Sequence, residues 1–247
     1  MIKRLFDLTI ALPALLLLSP LLGLVSLAIC LEDRGSPLYR AERVGRDGRI
    51  FRMVKFRSMV TGADRSGVMS TAGDDARITR VGRLLRRFKL DELPQLINIV
   101  RGEMSLVGPR PNVPSEVALY SAEEQRLLSV LPGVTDFASI VFSDEGEILD
   151  GSADPDRDYN LLIRPWKSCL GLHYVDHRSF GLDLRLIALT ALTLMSKQRA
   201  VRSIVRVLEW TGADRELIRV SRRSEPLKPS LPPGVTPETW ESHLTAG

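Results

Sequence analysis

The first apolar stretch of the chain predicts a membrane helix. Residues 8–31 contain no charged side chain, and a helix that crosses a bilayer needs about 20 apolar residues. Glu32 and Asp33 follow directly, without the small-residue cleavage site of a secretory signal. We therefore predict a membrane helix over residues 1–31, which either spans the bilayer or enters it and returns on the same side.

Two features of this segment favour return. Lys3 and Arg4 precede it and several arginines follow it, and positive charge on both flanks suits two cytoplasmic ends. Pro20 cannot donate to the carbonyl of Leu16, so we predict a kink at Ser19-Pro20, where the Ser19 hydroxyl can cover that carbonyl. Each half is then about 18 Å long, short of a bilayer core of about 30 Å. The alternative topology is a kinked helix that still spans the bilayer.

The periodicity changes after the membrane segment. Alternating residues around an Arg46-Asp47-Gly48 turn predict a β-hairpin within residues 36–59. Residues 61–75 are polar and Gly-rich, which predicts a mobile loop. Apolar residues at helical spacing predict one helix over 78–88, with arginines on its opposite face, and a second from Asp91.

The last third of the chain predicts further helices and a tail. Residues 182–195 are apolar and residues 200–220 are amphipathic and Arg-rich, a pattern that suits the membrane interface or packing on a globular domain. The predicted fold class is α+β, mainly helical. It comprises a re-entrant membrane helix (1–31), a small domain with an associated β-hairpin (32–182), interfacial amphipathic helices (183–224) and a disordered Pro-rich tail (225–247).

Composition narrows the choice of partners. The net charge of +4 and the pI near 9.3 fit an anionic membrane surface, a phosphorylated substrate or nucleic acid. Aromatic residues make up only 6% of the chain and no RNA- or DNA-binding motif is visible, so nucleic acid ranks last. Two cysteines form neither a disulfide framework nor a metal pair, which favours a reducing compartment.

The adjacent carboxylates Asp91 and Glu92 carry the strongest chemical signal. Asp91 falls at the expected N-cap of its helix, with Pro94 in the first turn. A carboxylate there stays ionised and can attack phosphorus, while the helix N-terminus suits a phosphate. Glu92 points elsewhere and can hold Mg²⁺ against a pyrophosphate. The simpler alternative is that Asp91 only caps the helix and Glu92 only complements its dipole.

Four cationic residues are candidates for phosphate binding. Arg110 lies between two prolines that restrict its backbone, and a stiff loop that presents a guanidinium suits phosphate recognition. Arg86 lies about one and a half helical turns before Asp91. Lys55 and Arg57, just beyond the hairpin, complete the candidate substrate-binding set.

These motifs together resemble a known family. The chain resembles the bacterial sugar transferases of the monotopic polyprenyl-phosphate phosphoglycosyl transferase family over most of residues 1–196. The matching segments are KRLFD (3–7), the Ser19-Pro20 kink, GSP (35–37), FRMVKFRSM (51–59), LDELPQL (90–96) and GEMSLVGPRP (102–111).

The resemblance implies a function and a place in the cell. It implies a re-entrant helix at the cytoplasmic face of the bacterial inner membrane. It also implies transfer of a sugar-1-phosphate from a nucleotide diphosphate sugar to a polyprenyl phosphate, initiating exopolysaccharide, O-antigen or capsule synthesis. In this reading the domain of residues 32–182 is catalytic, Asp91 is the nucleophile, Glu92 the Mg²⁺ ligand, and Arg86 and Arg110 contact phosphate.

One segment departs from the family pattern. Residues 132–140 differ from the usual continuation, and the loop over 144–150 is acidic, which leaves the donor sugar open. A non-catalytic membrane-anchored adaptor that binds anionic lipid or a partner protein is the alternative function. A homo-oligomer is also left open.

Overall fold

The computed structural model describes residues 2–63 and 75–236 and confirms a mainly helical α+β fold. The predicted mobile loop over 61–75 lies almost entirely outside these residues. The helices are α1 (Ile2–Asp33), α2 (Arg80–Arg87), α3 (Gln95–Arg101), α4 (Pro114–Val117), α5 (Phe137–Val141), α6 (Glu145–Ile148), α7 (Pro155–Asp158), α8 (Arg164–His177), α9 (Phe180–Met195), α10 (Lys197–Trp210) and α11 (Arg215–Ser221), and the strands are β1 (Leu38–Val44), β2 (Ile50–Phe56), β3 (Ser105–Val107) and β4 (Gly133–Thr135).

Helix α1 is continuous through Pro20. The Ser19 hydroxyl donates to the carbonyl of Leu16 at 2.8 Å, which confirms the predicted compensation for the amide that Pro20 lacks. Leu16 and Leu17 are 78% and 81% exposed. Within the described part of the chain, α1 is the one helix long and apolar enough to cross a membrane.

The beginning of α1 is bound to the domain by polar contacts. The Arg4 guanidinium donates to the carbonyls of Ile99 and Val100 at the end of α3, the latter at 2.8 Å. Asp7 is buried, and its carboxylate accepts the Leu106 amide at 3.1 Å. Charged groups near the start of a hydrophobic helix therefore face protein rather than lipid.

The end of α1 contacts the same domain at another place. The Glu32 carboxylate accepts the backbone amides of Arg80, at 2.8 Å, and Val81, which are exposed donors at the start of α2. Ile29 packs in a small core with Phe56 and Leu85. Both ends of α1 thus contact one domain, whereas Leu16 and Leu17 near the middle of the helix are mostly exposed.

The predicted hairpin is confirmed. Strands β1 and β2 are antiparallel, and their register runs from Leu38 opposite Phe56 to Val44 opposite Ile50. The turn between them has Asp47 at φ 58° and Gly48 at φ 74°, left-handed conformations that aspartate and glycine adopt more readily than other residues.

Helix α3 is fastened to β2 through the buried Asn98 side chain. Its amide oxygen accepts the Val54 amide at 2.9 Å, and its nitrogen donates to the Arg52 carbonyl at 2.8 Å. The same nitrogen donates to the Glu103 carboxylate at 2.7 Å. The Asn98 side-chain amide therefore pairs with backbone groups of β2, the strand that carries Lys55. These bonds hold β2 next to α3 and so near Asp91 and Glu92, which precede that helix.

Helices α5, α8, α9, α10 and α11 form the main core. Residues on both sides of the predicted boundary at residue 183 pack in it, among them Leu170, Leu186 and Leu208, each no more than 1% exposed. The apolar face of α10 is therefore buried by the domain. On the outside, Met195 and Trp210 remain 86% and 69% exposed. A location of these helices in the membrane interface stays a prediction.

The C-terminal tail has no helix or strand over residues 225–236, yet it contacts the domain. The Ser121 hydroxyl donates to the Pro233 carbonyl at 2.6 Å, and the Ser230 amide donates to the Leu161 carbonyl at 3.0 Å. Disorder of the tail stays a prediction for residues 237–247, which lie outside the described residues.

Candidate active site

The loop that carries Arg110 is positioned by a parallel pair of short strands. Gly108 directly follows β3 and Gly133 begins β4, and a Cβ atom added at Gly133 would lie 2.1 Å from the Gly108 nitrogen. Only glycine permits this approach. The Gly133 amide also donates to the Pro109 carbonyl at 3.1 Å. The loop backbone is thereby held at the strand ends, with Arg110 directed toward Glu92.

Two cationic side chains hold Glu92. The Arg110 guanidinium binds its carboxylate through both terminal nitrogens, one at 3.2 Å and one at 2.5 Å. The Lys55 ammonium approaches the same carboxylate at 3.3 Å. A forked arginine–carboxylate contact fixes orientation as well as charge. Glu92, Lys55 and Arg110 therefore form one ion-paired unit. We call this unit, together with Asp91, the site cluster.

The site cluster shifts the proton affinity of its members. Burial raises the pKa of the Glu92 carboxyl, but Arg110 and Lys55 outweigh burial and hold it well below its ordinary value. Burial lowers the pKa of Lys55 to about 8, against the opposing effect of Glu92. Glu92 raises the pKa of Arg110. Glu92 is thus an anion at neutral pH.

Asp91 does not cap the following helix, so the predicted N-cap is wrong. The N-cap of α3 is Pro94, and Asp91 lies in a single 3₁₀ turn, Leu90–Glu92, that follows Lys89 in a left-handed conformation (φ 56°). Pro94, the residue expected inside the first turn, is instead the N-cap, and the α-helix begins one residue later, at Gln95. Asp91 is 9% exposed, and its Oδ1 atom has no hydrogen-bond partner among the described residues.

The environment of Asp91 makes its carboxylate more basic. Burial, followed by the charge of Glu92, raises its pKa, whereas Lys55 and Arg86 oppose the shift. A buried carboxylate without a partner for one oxygen is costly unless a ligand or reaction uses it. This oxygen is the candidate nucleophile, and cations nearby favour its ionised form.

The other predicted cations divide into two groups. Arg86, on α2, is close enough to Asp91 to lower its pKa. Arg57 instead pairs with Asp33 at the end of α1 and donates to the Thr61 hydroxyl at 2.7 Å. The structure therefore brings Lys55, Arg86 and Arg110 to the carboxylate pair and places Arg57 at the end of α1. Its part in substrate binding stays a prediction.

Sequence reasoning missed three residues beside Arg110. Glu145 pairs with Lys167, and the Lys167 ammonium lies 5.1 Å from the centre of the Tyr159 ring. Glu145 also contributes to the raised pKa of Arg110. The acidic loop was visible in the sequence, but nothing local to Lys167 or Tyr159 indicated that they face it.

The residues of the site cluster can be compared with the ligands that Mg²⁺ has when protein and substrate bind it together. Among the described residues no group of three or more His, Cys, Asp or Glu side chains can hold a metal. Mg²⁺ at phosphoryl-transfer sites, however, uses one or two carboxylates, waters and substrate phosphates. Glu92 is held ionised, so it suits the role of the carboxylate ligand of such an ion.

Comparison of the sequence with known proteins identifies the family of this chain. The bacterial sugar transferase family matches residues 1–197. The chain is 44% identical over 195 residues to the undecaprenyl-phosphate glucose phosphotransferase of Komagataeibacter xylinus, covering 76% of this chain and 35% of that protein. It is 36% identical over 190 residues to the uncharacterized sugar transferase EpsL of Bacillus subtilis, covering 76% and 85% of the two chains.

A third relative is the exopolysaccharide production protein ExoY of Sinorhizobium fredii, which is 43% identical over 148 residues. That alignment covers 54% of this chain and 66% of the relative. The chain thus spans about a third to two thirds of the length of several relatives. The family match nevertheless includes α1, the hairpin and all of the site cluster, and we conclude that the chain belongs to the bacterial sugar transferase family.

Proposed function

We propose that this protein transfers a sugar-1-phosphate from a nucleotide diphosphate sugar to a membrane polyprenyl phosphate, releasing a nucleoside monophosphate and initiating glycoconjugate synthesis. The observation that carries the proposal is the buried Asp91 oxygen without a partner, next to the Lys55–Glu92–Arg110 unit. The names of the relatives support the substrate class, since one is an undecaprenyl-phosphate glucose phosphotransferase.

In the first step the Asp91 carboxylate attacks the sugar-bearing phosphorus of the donor. A bond forms between the aspartate oxygen and phosphorus, and the bond to the bridging oxygen breaks, so that this oxygen leaves with its electron pair on the nucleoside monophosphate. Arg86 and Arg110 neutralise phosphate charge, and Glu92 orients the Arg110 fork. The product is an acyl phosphate, a mixed anhydride that joins the Asp91 carboxyl to the sugar phosphate.

In the second step a phosphate oxygen of the polyprenyl phosphate attacks the same phosphorus. The Asp91 carboxylate then leaves, which restores the enzyme and yields a polyprenyl diphosphate sugar. Contact of both ends of α1 with the domain supports a site at the membrane surface, where a soluble donor and a lipid acceptor can both reach Asp91.

Glu92 would hold Mg²⁺, which would supply positive charge to neutralise the departing nucleoside monophosphate. We predict that Glu92→Gln raises the Mg²⁺ concentration needed for half-maximal activity by about tenfold or more, because a neutral amide is a poor ligand for this hard cation. Mg²⁺ titration of released monophosphate measures the effect, with Glu42→Gln, at an exposed position of β1, as the control. An unchanged titration curve would contradict the assignment.

The alternative function is an adaptor anchored to the membrane, in which the site cluster is structural. The two functions differ in whether labelled sugar moves from nucleotide to lipid. We expect purified protein, given a panel of nucleotide sugars and undecaprenyl phosphate, to form labelled lipid and release the monophosphate in equal amounts. Binding of anionic vesicles without any transfer across the panel would favour the adaptor.

We also propose that α1 enters and leaves the membrane on the cytoplasmic side. The contacts of Arg4 with α3 and of Glu32 with α2 support this topology, because a straight spanning helix places one of these ends across the bilayer from the domain. With Cys30 and Cys169 replaced by serine, single cysteines at Lys3 and Arg34 should both react with a membrane-impermeant thiol reagent only after the inner face is exposed. Labelling of position 3 from the periplasmic side would establish a spanning helix.

A further inference from the structure

A second group of polar side chains lies beside the candidate phosphate arginine. Glu145, at the start of α6, pairs with Lys167 of α8, and Lys167 lies against the ring of Tyr159. The Glu145 and Lys167 side chains are 34% and 17% exposed, so they reach the surface from a mostly buried position. Arg110 interacts electrostatically with both. This Glu145–Lys167–Tyr159 group therefore borders the site cluster.

The mechanism above uses none of these three side chains, and their chemistry suits a sugar. Sugar hydroxyls both donate and accept hydrogen bonds, so a carboxylate and an ammonium side by side can bind neighbouring hydroxyls. In the donor the sugar is attached to the phosphorus that Asp91 attacks. The base is separated from that phosphorus by a second phosphate and a ribose. The sugar, and not the base, is therefore the part of the donor joined directly to the phosphorus at the site cluster, which this group borders.

The loop that carries Glu145 is held by the C-terminal part of the chain. Asp144 pairs with Arg223 at 3.3 Å and also with Lys197. The Arg223 guanidinium lies 5.4 Å from the centre of the Phe142 ring and is only 15% exposed. Arg223 lies beyond residues 1–197, which the family matches. A segment outside the family match therefore contacts the residue next to Glu145.

We propose that Glu145, Lys167 and Tyr159 bind the sugar ring of the donor and determine which sugar is accepted, and that Arg223 is a positioning residue for Glu145. The inference rests on the proposed function. It assigns the acidic loop, which departs from the family pattern, to donor selection rather than to the transfer chemistry.

The test compares donors that differ only in the sugar. UDP-glucose, UDP-galactose and UDP-N-acetylgalactosamine are assayed with undecaprenyl phosphate by released UMP. Glu145→Gln should raise KM for the best donor by about tenfold to a hundredfold, the usual loss for a hydrogen bond to a charged group. It should also change the ratio of kcat/KM between donors, while KM for undecaprenyl phosphate stays the same. Glu147→Gln, an exposed neighbour on α6, is the matched control.

Two further variants separate binding from folding. Glu145→Asp retains the charge and should recover part of the donor affinity. Arg223→Ala should raise donor KM in the same direction but less, Arg223→Lys should recover it, and the exposed Arg222→Ala should have no effect on it.

Three outcomes would overturn the inference. The first is an equal loss for all three donors after Glu145→Gln, and the second is no loss. The third is a loss of discrimination between UDP-glucose and GDP-glucose while the ratio of kcat/KM between the three UDP-sugars stays unchanged. That result would mean that the group binds the base of the donor and not the sugar. Absence of any transfer by the unaltered protein would instead refute the proposed function, and the inference with it.

Discussion

Replacement of Asp91 by asparagine is expected to abolish transfer, with a fall in kcat of at least about 10⁴-fold, as for other enzymes that lose their nucleophile. The amide has nearly the same shape but no charge with which to attack phosphorus. The measurement is UMP release at saturating donor, together with mass spectrometry of the intact protein after donor alone. The unaltered protein should carry a phosphosugar on Asp91, and the variant should not.

The stability of this variant separates catalysis from folding. Burial raises the pKa of Asp91, so its ionised form destabilises the fold at pH values above its shifted pKa, and stability due to this group is lost as the pH rises through that value. Asp91→Asn should therefore melt at the same temperature as the unaltered protein or higher. Asp47→Asn, in the exposed hairpin turn, is the control. Substantial turnover by Asp91→Asn would exclude a nucleophilic role.

Removal of the Arg110 charge is expected to have the second largest effect. Arg110→Gln should lower kcat/KM for the donor by about 10²- to 10³-fold, the usual loss when one preorganised charge-stabilising donor is removed. The variant also leaves Glu92 with Lys55 as its remaining cationic partner in the site cluster, which raises the pKa of Glu92. Arg110→Lys should recover only part of the activity, because an ammonium lacks the two-pronged geometry of a guanidinium.

The control for this variant is Arg101→Gln, at the exposed end of α3. It removes the same charge from a nearby helix without touching Glu92. Donor kinetics distinguish the two, since only the Arg110 variants should raise donor KM and lower kcat together. Equal kinetics for Arg110→Gln and Arg101→Gln would show that the Arg110–Glu92 contact is structural.

Local features of the fold were predictable from the sequence. The uncharged run of residues 8–31 and the Asp47-Gly48 turn depend on polarity and backbone preference within a few residues. The Ser19 hydroxyl compensates for Pro20 within one helical turn. The position of Asp91 relative to the helix was predicted less well. Helix α3 begins at Gln95 and not at Asp91, which is a shift of four residues in the helix boundary.

Contacts between distant residues were beyond sequence reasoning. Arg57 and Lys55 are two residues apart on the chain and looked equivalent, yet Lys55 reaches Glu92 whereas Arg57 reaches Asp33. Residues two apart on a continuous strand point to the same face, but Arg57 already lies beyond the end of β2. Which acid each one meets depends on how α1 and α3 pack against the hairpin.

The sequence by itself determined the long apolar helix, the hairpin, the carboxylate pair and the Pro-flanked loop around Arg110, since each of these depends on neighbouring residues. Only the tertiary structure decided that Arg110 and Lys55 share Glu92, that one oxygen of Asp91 is left buried without a partner, and that Arg223 reaches Asp144. The physical reason is that these contacts join residues between 18 and 79 positions apart on the chain. The burial of Asp91 depends on the same long-range packing. Their geometry is set by the packing of helices and strands, which no local pattern of residues encodes.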